Sequence, residues 1–100
     1  ALGIEFNHDA GMLDGGSYPE AVKARVRSRF GHLSNEQATD LLADVAHPSL
    51  QWVAALHISE RNNTPECARA AASRVMDHCG TDFRVARQDA PSEWLEIRRC

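Results

Sequence analysis

Trp52-Val53-Ala54-Ala55-Leu56 is an unbroken apolar run, followed at once by His57-Ile58-Ser59. Five apolar residues without alternation predict a strand buried on both faces, as in a parallel sheet covered by helices. The polar turn that follows, Ser59-Glu60-Arg61-Asn62-Asn63, leads to Thr64-Pro65-Glu66. This is a helix start: a hydroxyl N-cap, a proline at the first position and an acid near the positive end. Ala68, Ala71, Ala72, Val75, Met76 and Cys79 then share one helix face, and Gly80 is the natural stop.

Upstream, Ser34 is an N-cap with Gln37 three residues later, the capping-box pattern. Ala38, Leu41, Leu42, Val45 and Ala46 form the apolar face, and Pro48 closes the segment. An earlier helix over 19–30 opens on Pro19, carries Val22, Val26 and Phe30 at four-residue spacing, and ends at Gly31. Leu2-Gly3-Ile4-Glu5-Phe6 reads as a strand broken by Asn7-His8-Asp9, with one helical turn over 10–14 before Gly15-Gly16. Short strands are expected near 82–87 and 93–97. Strand, helices, strand, helix, strand, strand predicts a layered α/β domain.

The chain has 100 residues, 43% hydrophobic and 25% charged, with a net charge of −3. One domain over 1–100 is the upper bound, and neither a disordered tail nor a general polyanion binder fits. No apolar run reaches the ~20 residues of a membrane span, and no signal peptide is visible. Three cysteines argue against a closed disulfide framework. Cys67 and Cys79, on one helix, would lie ~18 Å apart. A cytoplasmic location is the expectation. Four strands make a thin core, and the chain opens without Met, so a fragment, with a missing N-terminal half or a second chain as partner, is expected.

Several residues are suited to chemistry. His57 stands at a strand end, where rigid scaffold meets an open loop, and imidazole is the commonest neutral metal ligand. His32 precedes a helix start, whose free N–H groups favour an anion; there it could hand a proton to a phosphate. Asn7, His8 and Asp9 form a turn of ligand-capable residues. His47 and His78 read as structural. Lys23, Arg25, Arg27 and Arg29 cluster on the helix 19–30, a patch able to meet a nucleic-acid backbone nonspecifically. No P-loop, nucleophile elbow or dinucleotide fingerprint is present.

Three segments in order, Glu5-Phe6-Asn7-His8-Asp9, Gly31-His32-Leu33-Ser34-Asn35-Glu36-Gln37-Ala38 and Leu56-His57-Ile58-Ser59-Glu60-Arg61-Asn62-Asn63-Thr64-Pro65-Glu66, resemble the C-terminal portion of the YycJ/WalJ exonuclease-like branch of metallo-β-lactamase-fold hydrolases. The likeness extends to Val85-Ala86-Arg87-Gln88-Asp89. It implies half of an αββα sandwich and, in the complete protein, two divalent metals, zinc or manganese. It also implies hydrolysis of nucleic-acid phosphodiesters. His57 matches the last metal-binding motif, and His32 the histidine that assists the leaving group. Asn7, His8 and Asp9 match a motif of the branch and are assigned, with Ser34, to the substrate side or rim of the site. The main metal motif, His-x-His-x-Asp-His, is absent, so this chain alone is expected to be inactive and to bind no metal stably. Two other readings stand beside it: a non-catalytic half-fold that pairs with another chain, and a nonspecific nucleic-acid binder using the helix 19–30.

Overall fold

The computed structural model describes residues 1–28, 31–77 and 80–98. The elements run β1 (Leu2–Glu5), α1 (Ala10–Gly15), α2 (Glu20–Arg27), α3 (Asn35–Val45), β2 (Trp52–Leu56), α4 (Pro65–Met76) and β3 (Asp82–Val85). The three strands form one parallel sheet in the order β1-β2-β3, with Glu5 opposite Leu56 and Ala55 opposite Val85. The α/β expectation therefore holds. No described helix is long and apolar enough to cross a membrane.

The helix starts follow the sequence signals. Ser34 Oγ accepts from the Gln37 amide while the Gln37 side chain accepts from the Ser34 amide, a complete capping box. Thr64 caps α4 through the Cys67 amide, and Asp9 caps α1 through the Met12 amide. Parallel neighbours joined by crossovers of one hand place their helices on one side of the sheet. Accordingly α3 and α4 pack on each other and share a core with the strands. Ile4, Phe6, Ala38, Leu42, Leu50, Val53, Ala55, Ile58, Ala68 and Ala72 form that core, and Phe6 meets Phe83 edge to face at 5.6 Å.

That one-sided arrangement corrects the doubly buried strand. Val53 and Ala55 are buried, but Trp52 and Ala54 are half-buried and Leu56 is 41% exposed. The other face of the sheet carries Gly3, Glu5, Trp52, Ala54, Leu56, Asp82 and Arg84. The strand expected over 93–97 does not form. The segment is instead tied to the sheet by Trp52 Nε1–H to the Glu96 carbonyl, by reciprocal Gln51–Arg98 bonds and by an Arg84–Glu93 ion pair. Side-chain partners there take the place of a backbone ladder.

The stripe expected on α2 is also revised. Lys23 is its buried residue, with Nζ donating to the Asp14 carbonyl at 2.8 Å and reaching Glu20, whereas Val22 is exposed. The ammonium satisfies a carbonyl in the last turn of α1, and its aliphatic stem is buried with it. Leu41 and Val45 of α3 are likewise exposed, because only the Ala38–Leu42 line faces the sheet. Phe30, His78, Cys79 and Cys100 lie outside the described residues, and Cys67 is free.

Candidate metal and phosphodiester site

Glu5 is the last residue of β1, and the register puts it beside Leu56, the last residue of β2. His57 follows directly. The parallel register thus brings a carboxylate and an imidazole to one edge of the sheet. His57 adopts φ 56, the left-handed region a β-carbon disfavours. Asn7 holds it there, since Asn7 Nδ2 donates to the His57 carbonyl at 2.9 Å. The Asn7 backbone spans the neighbouring segments: its amide donates to the Leu33 carbonyl and its carbonyl accepts from the Ser59 amide.

His32 arrives from the segment leading into α3. Its Nδ1 lies 2.7 Å from Glu5 Oε1, and so does Nδ1 of His57. The two rings meet edge to face at 5.1 Å between centroids. Glu5 Oε2 accepts the Leu33 amide at 3.0 Å. Burial pushes the Glu5 carboxyl upward, but the Leu33 amide and the two imidazoles outweigh it and hold the carboxyl below its ordinary range. An ionised carboxylate only accepts hydrogen bonds, so both rings must donate Nδ1–H. Each is left with Nε2 for other work.

That arrangement fits a metal ligand. Histidines that bind metals commonly donate their second ring nitrogen to a carboxylate, which fixes tautomer and orientation. Among the described residues Glu5, His32 and His57 also form a group of three whose ligand-capable atoms lie within 4.8 Å of one another. With both Nδ1 atoms committed to Glu5, the carboxylate acts better as the orienting group behind two imidazoles than as a third ligand. Glu5 was not singled out from the sequence as a site residue. A strand-end acid next to the Asn7-His8-Asp9 turn was the only signal, and nothing local tied it to residues 27 and 52 positions away.

The other expected site residues divide. His32, His57 and Asn7 line a common cleft of about 330 Å³ with Tyr18, Arg61 and Gln88. His8 is buried beneath the site, its Nδ1 3.3 Å from Asn7 Oδ1, and is not a rim residue. Burial first, and then the charge of His32, lower its pKa below the ordinary histidine value, with Glu5 and Asp9 opposing. Asp9 and Ser34 use their side chains as helix caps. The start of α3 is also less open to an anion than expected. The Asn35 amide bonds the His8 carbonyl, and the Ser34 and Gln37 amides are taken by the capping box.

The basic face on α2 is reduced too. Lys23 is buried, Arg27 is exposed but pairs with Asp14, and Arg25 is exposed without an ion pair among the described residues; Arg29 lies outside the described residues. His47, as expected, serves a turn, its Nδ1 accepting from the Ser49 amide. Beneath the cleft, Asn35 and Asn63 exchange amide bonds at 2.8 Å in both directions, and Asn63 Nδ2 also donates to the Phe6 carbonyl. This buried pair, unrecognised in the sequence, joins the α3 and α4 starts to the end of β1.

The chain is 39% identical over 80 residues to the exodeoxyribonuclease YycJ of Bacillus anthracis, covering 80% of this chain and 30% of that protein. It is 33% identical over 86 residues to the exodeoxyribonuclease WalJ of Streptococcus pneumoniae serotype 2, covering 82% and 32%. The resemblance to the YycJ/WalJ branch is thus shown over about four-fifths of the chain, while the chain spans only about a third of the length of these curated relatives. No family model matches the chain. No solved structure matches it either.

Proposed function

We propose that this chain is the C-terminal part of a metal-dependent nuclease of the YycJ/WalJ type, contributing His57 as a metal ligand and His32 as the group that assists the leaving oxygen. The observation that carries the reading is the single Glu5 oxygen shared by two Nδ1–H groups, which leaves Nε2 uncommitted on two histidines that line one cleft. The relatives' names supply the substrate class, nucleic acid.

In this reading His57 would hold a divalent metal, zinc or manganese, through Nε2, with the remaining ligands supplied by the rest of a metallo-β-lactamase-type sandwich. A bound metal supplies Lewis-acid stabilisation of charge developing on the phosphoryl oxygens. Glu5 fixes the His57 ring and stabilises positive charge on His32. With Nδ1–H of His32 tied to Glu5, its proton leaves and returns only at Nε2, where it reaches the departing oxygen. The chain by itself is inactive, since one or two imidazoles do not make a two-metal centre.

The exposed face of the sheet supports the same reading. Leu56 lies where a second layer would cover it, and the rest of the protein, or a second chain, is the proposed cover. A cytoplasmic location accords with the free Cys67.

The test is cleavage of end-labelled DNA by the complete protein. His32→Ala should slow turnover by roughly 10²–10⁴-fold, the usual worth of a general acid. His57→Ala should lower both metal content and activity. Unchanged turnover in His32→Ala would remove the leaving-group role, and unchanged metal content in His57→Ala would remove the ligand role.

A further inference from the structure

The cleft beside the two histidines has a second wall of different chemistry. Tyr18 enters from the turn between α1 and α2, and Arg61 from the turn after β2. The Arg61 guanidinium carbon lies 5.8 Å from the centroid of the Tyr18 ring, within cation–π range. The turn that carries Arg61 is pinned on both sides. The Asn62 amide donates to Ser59 Oγ, and the Asn62 carbonyl accepts from the Asp9 amide. Pro19, next to Tyr18, is the N-cap of α2. The turn carrying Arg61 is therefore held by hydrogen bonds on both sides, and Tyr18 directly precedes the start of α2.

The Arg61 guanidinium is also uncommitted. Arg27, Arg74, Arg84, Arg87 and Arg98 each meet a carboxylate, whereas Arg61 has no ion pair among the described residues. Its planar fork of donors is therefore free to grip a phosphate with two parallel bonds. The Tyr18 ring, with a guanidinium beside it, offers a flat aromatic face of the kind on which an unpaired nucleobase lies. The volume, about 330 Å³, is at the small end of ligand pockets (about 300–1,000 Å³), enough for one residue of a polymer.

We propose that Tyr18 and Arg61 form a nucleotide subsite next to the histidine pair, in which Arg61 holds a phosphate of the strand and the Tyr18 ring stacks its base. The proposal rests on the nuclease reading and adds to it the means by which a single-stranded end is held. Neither residue is placed in the hydrolytic machinery; they position the strand so that the scissile phosphodiester reaches His32 and His57.

The experiment is titration of this 100-residue chain, without metal, with a single-stranded oligothymidylate of six residues, followed by amide chemical shifts. Shifts are expected at residues 16–18 and 59–62. Tyr18→Ala and Arg61→Ala should each weaken binding roughly tenfold, as expected for loss of one base stack or one bidentate phosphate contact. Tyr18→Phe should bind as the parent does, and Arg61→Lys should be intermediate. Arg25→Ala, on the α2 surface, should change affinity less than either alanine variant. Tyr18→Leu keeps the bulk of the side chain if Tyr18→Ala fails to fold. Binding unaffected by the Tyr18 and Arg61 substitutions would overturn the subsite and leave the nuclease reading standing. Absence of oligothymidylate binding would also overturn it, with the DNA-cleavage assay on the complete protein deciding the nuclease reading separately.

Discussion

Glu5 Oε1 lies 2.7 Å from Nδ1 of His57, across the neighbouring ends of two parallel strands. The contact turns a flexible imidazole into one with a single free nitrogen and a set direction. In the complete protein, Glu5→Gln should therefore weaken zinc binding by about 10–100-fold, the usual effect of removing a carboxylate behind a ligand histidine. Competition against a chelator measures this. Equal affinity in the variant would show that Glu5 does not orient His57.

His57 adopts φ 56, where a side chain costs about 1–2 kcal/mol relative to glycine. His57→Gly should therefore be more stable than His57→Ala by about 1 kcal/mol, although both lose the imidazole. Chemical denaturation of the two variants gives the difference. A less stable glycine variant would mean that the strained backbone is not retained once the imidazole is gone.

The reciprocal Asn35–Asn63 pair is buried, and Asn63 also serves the Phe6 carbonyl and the Thr64 amide. Asn63→Ala leaves several of these groups without partners and should cost about 1–3 kcal/mol. Asn62 next door is also buried but works through its backbone. Urea denaturation that ranks Asn62→Ala as the more damaging change would contradict this assignment.

His8 has a pKa below the ordinary histidine value because burial and the nearby His32 disfavour its charge. The unfolded chain therefore binds a proton at His8 that the folded chain refuses. Stability from this group is fully present above the unfolded value of about 6.5 and is lost as pH falls from there towards the depressed folded pKa. Glu5, depressed as well, adds a second loss at lower pH, below about 4.5. His8→Gln should flatten the upper limb and leave the lower one. Denaturation midpoints between pH 7 and 4 test this; an unaltered slope near pH 6 would show that His8 does not control that limb.

Much of this was legible because it is local. Ser34 with Gln37, and Thr64 with Pro65, announce helix starts through bonds made within three residues, and the structure contains those bonds. The apolar run 52–56 marks the central strand for a similar reason. The exposure of Leu56 was not legible, since apolar content says what a strand can bury and not how many layers cover it. Lys23 was read by its charge, yet its stem and ammonium serve the α1 end, a partner nine residues away. Over 93–97 the apolar residues suggested a strand, but side-chain ties to Gln51 and Trp52 hold the segment instead. At the site, His32 and His57 were recognisable as motifs. Glu5, which joins them, was not, because its role exists only through the β1–β2 register.

Asn7 donates its amide to Leu33, accepts at its carbonyl from Ser59 and holds the His57 carbonyl with its side chain. These contacts span 26, 52 and 50 positions of chain, so the cleft exists only after both long loops have closed on the first strand. Parallel pairings of this reach are slow to form, because loop-closure entropy is lost before the contacts return it. The histidine cleft should therefore form late in the folding reaction. Amide exchange at Asn7 and Ser59 would report its completion, apart from the earlier protection of the α3 and α4 backbones.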